Sequence, residues 1–163
     1  MTSLPAQEQT GEPAAAPGPD LADHELAAWR GFLRAHADLV RELDTELTAE
    51  HSLSLSAYDV LVQLAHSPQG RLRMSELADS VLLSPSGLTR LVDRLGDEGL
   101  VERLPCDDDA RGYFAAVTDT GRERFEAARR THLDGVRRLF LRHFSDAELR
   151  QLGEQWRRLT AEP

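Results

Sequence analysis

The apolar positions along the chain predict six helices and one β-hairpin, in the order helix, helix, helix, helix, hairpin, helix, helix. The first helix begins at about Leu21, and its apolar side chains recur over almost thirty residues. A stripe of that length is more than one small core can cover, so we expect a second copy of the chain to pack against it. Further apolar stripes lie in residues 125–140 and 149–159.

Serine residues in front of the apolar runs predict where several helices begin. The second helix lies in "SLSAYDVLVQLAHS", where we expect Ser56 as the N-cap, with Asp59 three residues later in a capping-box relation. A short third helix lies in "MSELADSVLL", and we expect Ser75 to cap it. Ser145 and Glu148 form another predicted capping box, which opens the last helix.

The fourth helix lies in "SPSGLTRLVDRLGDEGL" and has one face of small polar and arginine side chains. Ser84 is its expected N-cap, Pro85 occupies the first helical position, where its missing N–H costs nothing, and Gly99 ends the helix. Backbone N–H groups at such a helix start attract a phosphate, and small first-turn side chains allow insertion into the major groove. The other polar side chains expected to face DNA are Ser86, Thr89, Arg90 and Arg94. Arg94 has an alternative partner in Glu98, four residues later.

Two β-like runs, "LVERLP" and "YFAAVT", flank "CDDDARG", so residues 106–112 are predicted to form the turn of the hairpin. A short helix, a tight connection, a capped helix and a hairpin together make a winged helix-turn-helix. We therefore expect a mainly α fold in which Thr89 and Arg90 contact base edges in the major groove. The hairpin would lie along the DNA backbone and send one side chain into the minor groove.

The stretch "RMSELADSVLLSPSGLTRLVDRLGDEGLVER", together with "DDDARGYFAAVTDTGR", resembles the MarR family of transcriptional regulators over about residues 24–160. The most specific mark of the family is Asp-x-Arg in the hairpin, or wing, followed by an apolar-Thr-x-x-Gly helix start. Here these are Asp109, Ala110, Arg111 and "VTDTG". The resemblance implies that Arg111 enters the minor groove and that Asp109 holds it in place. The middle position is commonly basic in the family, and Ala110 departs from that pattern.

The predicted elements divide the chain into regions. Residues 1–20, rich in Pro, Ala and Gly, are expected to be a disordered tail. Residues 56–118 form the predicted winged helix-turn-helix, and residues 21–55 and 119–163 form a helical dimerisation region. The resemblance implies a homodimer that binds a pseudo-palindromic operator in double-stranded DNA, most often as a ligand-responsive repressor.

The resemblance also implies a site for a small aromatic or phenolic effector, where the first, second and fifth helices meet above the winged domain. Trp29, Phe32 and His36 share one face of the first helix, and Tyr58 lies at the head of the second. These four residues are therefore the candidate ligand contacts. Packing in a dimer core is the alternative role for them.

The net charge of −9 over 163 residues argues against nucleic acid as a partner, but its distribution weakens that argument. Residues 1–69 carry 3 arginines against 11 acidic groups, whereas residues 70–118 carry 6 against 9. Asp107 and Asp108 should repel phosphate and make recognition depend more on fit. The alternative is a protein of the same fold that has lost DNA binding and acts as a small-molecule or protein binding module.

Other kinds of chemistry have less support. The single cysteine, Cys106, excludes an intrachain disulfide, and the adjacent carboxylates disfavour a reactive thiolate. Neither the aspartates nor the six histidines show metal-ligand spacing, so no metal or cofactor is expected, although clustering in space stays open. No catalytic constellation is evident, although the triad of a small hydrolase could escape recognition in a sequence. No apolar run spans a membrane and no signal peptide is evident, so we expect a cytoplasmic protein that is not an enzyme.

Overall fold

A computed structural model describes residues 20–81, 83–106 and 109–160, and only the backbone of residues 109–111. Residues 1–19 of the predicted tail lie outside the described residues. The chain divides into two units, Met1–Ala35 and His36–Pro163.

Within the described ranges, six α-helices and three strands confirm the mainly α prediction, and two single 3-10 turns lie at Pro68–Gly70 and Leu141–His143. In chain order the α-helices and strands are α1 (Asp23–His51), α2 (Leu55–His66), β1 (Arg71–Arg73), α3 (Met74–Ser80), α4 (Pro85–Asp97), β2 (Val101–Cys106), β3 (Asp109–Val117), α5 (Asp119–Leu139) and α6 (Asp146–Thr160). The strands form one antiparallel sheet in the order β1-β3-β2. The order of helices and hairpin is the predicted one, and β1 is the addition.

In the first unit, the described residues are 20–35, which include the first half of α1. Trp29 is 54% exposed there and Phe32 is 40% exposed, and their ring centroids lie 6.1 Å apart. The core lies in the second unit, where leucines of the helices meet the inner face of the sheet. Its fully buried side chains include Leu47, Leu61, Leu64, Leu77, Leu88, Leu95 and Leu100.

The predicted cap of α2 is wrong by two residues. Ser54, not Ser56, is the N-cap, and its Oγ accepts a hydrogen bond from the backbone N–H of Ala57 (3.2 Å). A carboxylate oxygen of Asp44 in α1 accepts the N–H of Leu55 (2.8 Å). The segment "SLSLS" offers three serines, and this contact with α1 explains why the helix begins after the middle one.

We expect Ser54→Ala to lower the free energy of unfolding by about 1 kcal/mol, because the N–H of Ala57 loses its acceptor at the helix start. Ser56→Ala is the matched control and should change it by less than about 0.5 kcal/mol. Thermal unfolding followed by circular dichroism measures both. Equal effects of the two substitutions would contradict the assignment of Ser54 as the cap.

The start of α3 also differs from the prediction. Its N-cap is Arg73 rather than Ser75, and the Glu76 carboxylate accepts the backbone N–H of Arg73 (2.9 Å). Arg73 ends β1, the strand that the sequence did not reveal. β1 is paired along its whole length with β3, with Leu72 opposite Ala115. α3 therefore begins where this strand ends.

The β-hairpin is confirmed, but its strands are longer than predicted. β2 continues to Cys106, and β3 begins at Asp109 and pairs with it. Residues 109–112, predicted as part of the turn, therefore belong to β3. The apolar residues mark only the inner part of each strand in the sequence, whereas the backbone pairing between β2 and β3 extends further towards the turn.

Thr118 joins the start of α5 to the corner between α4 and β2. Its Oγ1 accepts the N–H of Gly121 (3.0 Å) and donates to the carbonyl of Gly99 (2.7 Å). Its own N–H donates to the carbonyl of Leu100 (3.1 Å). Gly99 has φ +70°, the left-handed conformation that suits glycine after a helix. Gly121 packs so closely that a Cβ there would lie 2.0 Å from the Leu100 carbonyl oxygen.

Candidate nucleic-acid interface

The start of α4 has the predicted geometry. The Oγ of Ser84 accepts a hydrogen bond from the N–H of Gly87 (3.2 Å), and Pro85 occupies the first turn. One side of the helix is fixed in the core through its apolar residues, which are Leu88, Leu91, Val92 and Leu95. The opposite side faces solvent as a consequence of that packing.

The exposed side of α4 brings together five of the predicted DNA contacts, which are Ser84, Ser86, Thr89, Arg90 and Arg94. The Thr89 hydroxyl donates to the carbonyl of Pro85 (3.0 Å), and Nε of Arg90 donates to the carbonyl of Ser86 (3.2 Å). These bonds orient both side chains along the first turns of the helix. The guanidinium of Arg90 is thereby held at the surface, where it can reach an acceptor on a partner.

Two ion pairs border this face. Nε of Arg94 lies 3.9 Å from Oε1 of Glu98, the alternative partner suggested by their spacing. Nη2 of Arg103 in β2 lies 2.7 Å from Oδ1 of Asp93, so this pair joins α4 to the hairpin. The sequence gives no sign of this role for Arg103, because the contact depends on how the hairpin folds back onto the helix. The pair is partly exposed and stabilises the fold little, but it restricts the position of the hairpin base.

The predicted wing residues lie in the hairpin. Asp109 and Arg111 belong to β3, but their side chains lie outside the described part of the structure, so their roles stay predictions. Cys106 ends β2 and is only 6% exposed.

The four candidate effector contacts fall in both units. Trp29 and Phe32 belong to the first unit, and His36 and Tyr58 belong to the second. Tyr58 is 4% exposed, and its ring centroid lies 4.6 Å from that of His132. Burial raises the pKa of Tyr58 and lowers the pKa of His132, so both rings are uncharged near neutral pH. The ligand role of the four residues stays a prediction.

In the described part of the chain, a cavity lies near each end of α4. A groove of about 410 Å³ separates α3 from the start of α4, and Met74, Ser75, Pro85 and Thr89 are among its lining residues. A cavity of about 300 Å³ lies beside Arg94, at the other end of α4. Among the residues that the structure describes, no three His, Cys, Asp or Glu side chains are grouped to hold a metal ion. None of the described helices is long and apolar enough to cross a membrane.

This arrangement matches known regulators. A sequence model of the MarR family matches residues 51–112. A MarR family transcriptional regulator from Streptomyces coelicolor, solved in complex with DNA, is 34% identical to this chain. The similarity covers 90% of this chain and 93% of that one, with a TM-score of 0.85. The chain belongs to the MarR family of transcriptional regulators.

Other relatives are consistent with this assignment. AbsC, a MarR family regulator from Streptomyces coelicolor, is 32% identical and has a TM-score of 0.82, with 87% of this chain and 95% of AbsC covered. An HTH-type transcriptional regulator of Mycobacterium bovis is 35% identical over 78 residues, which are 48% of this chain and 53% of that protein. The chain thus spans about half the length of the curated relatives it matches. In the winged helix-turn-helix fold, α4 occupies the position of the recognition helix and the β2–β3 hairpin that of the wing.

Proposed function

We propose that this MarR protein is a cytoplasmic homodimer that binds a pseudo-palindromic operator in double-stranded DNA and represses transcription until a small aromatic or phenolic effector binds. The exposed face of α4 carries the proposal, because its polar side chains are oriented by a well-packed helix. The related regulator solved in complex with DNA supports it. The proposed role is binding, and the protein catalyses no reaction.

The recognition helix would lie in the major groove. Thr89 and Arg90 would contact base edges there, and Ser84 and Ser86 at the helix start would contact phosphate. Arg111 of the wing would enter the minor groove, held by Asp109. Two copies of α4, one from each subunit, would lie roughly 34–36 Å apart and match two half-sites one DNA turn apart.

A dimer would cover apolar side chains that the single chain exposes. In the first unit these are Trp29, Phe32 and Leu33, and in the second they are Val40, Leu141, Phe144, Trp156 and Leu159. Isolated apolar side chains on a surface are common, but several at helical spacing on long helices favour a subunit interface. The apolar stripes found in the sequence support the same interpretation.

The effector would act by population shift. Binding near Trp29, Phe32, His36 or Tyr58 would favour a dimer in which the two recognition helices are wrongly spaced for the operator. Tyr58 would take part only after a local rearrangement, because its side chain is buried.

The competing proposal is a protein of the same fold that has lost DNA binding and binds a small molecule or a protein. The net negative charge of residues 70–118 favours this alternative. The ion pair between Asp93 and Arg103 leaves that net charge unchanged, but it places a positive group directly beside one acidic group of the recognition helix. Arginines that face a phosphate matter more for binding than the bulk charge of the domain.

Operator selection combined with a dimer variant tests the proposal. Wild-type protein should be dimeric in sedimentation experiments and should enrich defined sites from a pool of random duplexes. Leu159→Asp places a charge on a side chain that is 70% exposed in the single chain, so the subunit should still fold. This variant should become monomeric and bind the selected operator about 10-fold or more weakly, while Leu159→Met serves as its control. A monomeric wild type, or one that enriches no sites, would refute the proposal.

A further inference from the structure

Two arginines stack on one aromatic ring at the outer face of the sheet. The guanidinium carbon of Arg71 lies 4.8 Å from the ring centroid of Phe114, and that of Arg73 lies 5.3 Å from it. Contacts of this kind restrict the planar guanidinium and leave its N–H groups directed away from the ring. We call Arg71, Arg73 and Phe114 the arginine platform.

The register of the sheet places the platform on the face that points away from the core. Arg73 is paired with Phe114 and Arg71 with Ala116, and paired residues of an antiparallel sheet point to the same side. The alternate residues Leu72 and Ala115 pack in the core. The two arginines are therefore directed away from the core.

No carboxylate neutralises the platform among the described residues, since neither guanidinium has an acidic group within ion-pair distance there. Glu76, the nearest acid along the chain, accepts the backbone N–H of Arg73. Glu102 lies on the same face of the sheet, but β3 separates it from Arg71. Two strand spacings put the Cα atoms of Glu102 and Arg71 about 9–10 Å apart. Two positive charges are thus presented together in a region whose net charge is negative.

The platform adjoins the recognition surface. Arg73 immediately precedes α3, whose first residues Met74 and Ser75 line the groove shared with Thr89 of α4. In a helix-turn-helix, the helix before the recognition helix crosses the DNA backbone. A duplex seated on α4 would therefore pass its phosphates close to the end of β1.

We propose that the arginine platform binds two phosphates of the DNA backbone, outside the major groove occupied by α4. This inference rests on the proposed function and adds a contact that does not read sequence. The Cα atoms of Arg71 and Arg73 are about 6.8 Å apart in a strand, so their long side chains are close enough together to reach neighbouring phosphates of one DNA strand. Planar guanidiniums with outward N–H groups suit phosphate oxygens, which they bind in bidentate fashion. Phe114 holds both groups in place before DNA arrives.

The salt dependence of binding tests the platform. Affinity of the full-length protein for a random 30-bp duplex and for its selected operator is measured by fluorescence anisotropy between about 50 and 200 mM salt. Arg71→Ala combined with Arg73→Ala should lower the magnitude of the slope of log K against log salt by about 1.8, because each phosphate contact contributes about 0.9. The ratio of wild-type affinity to variant affinity should therefore be about 12-fold smaller at 200 mM salt than at 50 mM salt. This ratio should be the same for the random duplex and for the operator.

Two further variants make the result specific. Arg130→Ala combined with Arg150→Ala removes the same charge from exposed positions of α5 and α6 and should leave the slope unchanged. Phe114→Leu keeps both arginines but removes the ring, so binding should weaken roughly 2- to 10-fold with little change in slope. The cap of α3 survives the arginine substitutions, because Glu76 binds the backbone N–H of Arg73.

Each outcome decides between the proposals. If wild-type protein binds neither duplex, the proposed function fails and the platform fails with it. If wild-type protein binds but the double arginine variant keeps its slope, only the platform is refuted, and an acidic protein surface becomes the better partner for it. An equal fall in slope for the Arg130 and Arg150 control would also refute it, because bulk charge would then account for the effect.

Discussion

Replacing Gly121 with alanine should lower the free energy of unfolding by about 3 kcal/mol or more, at the upper end of what overpacking costs. The new Cβ would lie 2.0 Å from the carbonyl oxygen of Leu100 and 3.0 Å from Cγ2 of Val117. The Leu100 carbonyl cannot give way easily, because it accepts the N–H of Thr118 and belongs to a residue that is 1% exposed. The steric clash can therefore be relieved only if the start of α5 moves, and this movement weakens the helix cap at Thr118. We expect the Tm to fall by roughly 6–12 °C.

Gly96→Ala is the matched control, since it makes the same substitution close to the same corner. A Cβ at Gly96 meets only the carbonyl oxygen of Val101, at 3.7 Å, which is ordinary contact. Gly96 lies inside α4, where alanine is the better helix former, so this variant should be more stable by about 0.5–1 kcal/mol. Both are measured by thermal unfolding at one protein concentration, because dimerisation would make the Tm depend on concentration. A Gly121→Ala protein as stable as wild type would contradict the described packing.

Arg90→Ala should weaken binding to the selected operator by about 1–3 kcal/mol, or roughly 5- to 150-fold, and should relax the base preference at one position of each half-site. Arg90 is exposed on the recognition helix, and its Nε is fixed by the carbonyl of Ser86. A guanidinium held in this way loses little further freedom when it binds a base edge. Affinity for random duplexes should change far less than affinity for the operator.

Arg94→Ala provides the comparison on the same helix. Arg94 lies one turn further along and already has Glu98 as a partner, so its loss should cost less operator affinity. Sites selected from random duplexes by wild type and by each variant show whether a base preference has been lost. If Arg90→Ala retained both wild-type affinity and wild-type preference, α4 would not contact bases through this residue.

Much of this fold could be predicted from the sequence because local signals agree with tertiary packing. The recognition helix has a serine cap, a proline in its first turn, four apolar residues on one side and a glycine after its end. The start of α5 was marked by "VTDTG", and the structure explains two of its positions. Thr118 is the cap, and at Gly121 any larger residue would meet the Leu100 carbonyl.

The prediction failed where a distant residue decides the local structure. Three serines in "SLSLS" are nearly equivalent locally, and Asp44 of α1 distinguishes between them by accepting the N–H of Leu55. β1 has only three residues, so no alternation is visible in it, and it exists because β3 pairs with it. The Asp93–Arg103 ion pair likewise depends on how the hairpin folds back.

The candidate sites were predictable to different degrees. Helical periodicity placed the five α4 residues on one exposed side, since they share a single element. The roles of Asp109 and Arg111 rest on family resemblance, and those of the four effector candidates rest on it too. Periodicity along α2 does not show that Tyr58 is buried, because that burial comes from Phe125 and His132 of α5.

The bonding of Thr118 has a mechanical consequence. One side chain and its N–H connect the first turn of α5 to Gly99 and Leu100, which directly follow the recognition helix. Because Gly121 also packs against Leu100 at this point, we expect a tilt of α5 to move the end of α4 with it. In the proposed dimer, the angle between the two α5 helices would then set the distance between the recognition helices, without any hinge at their base.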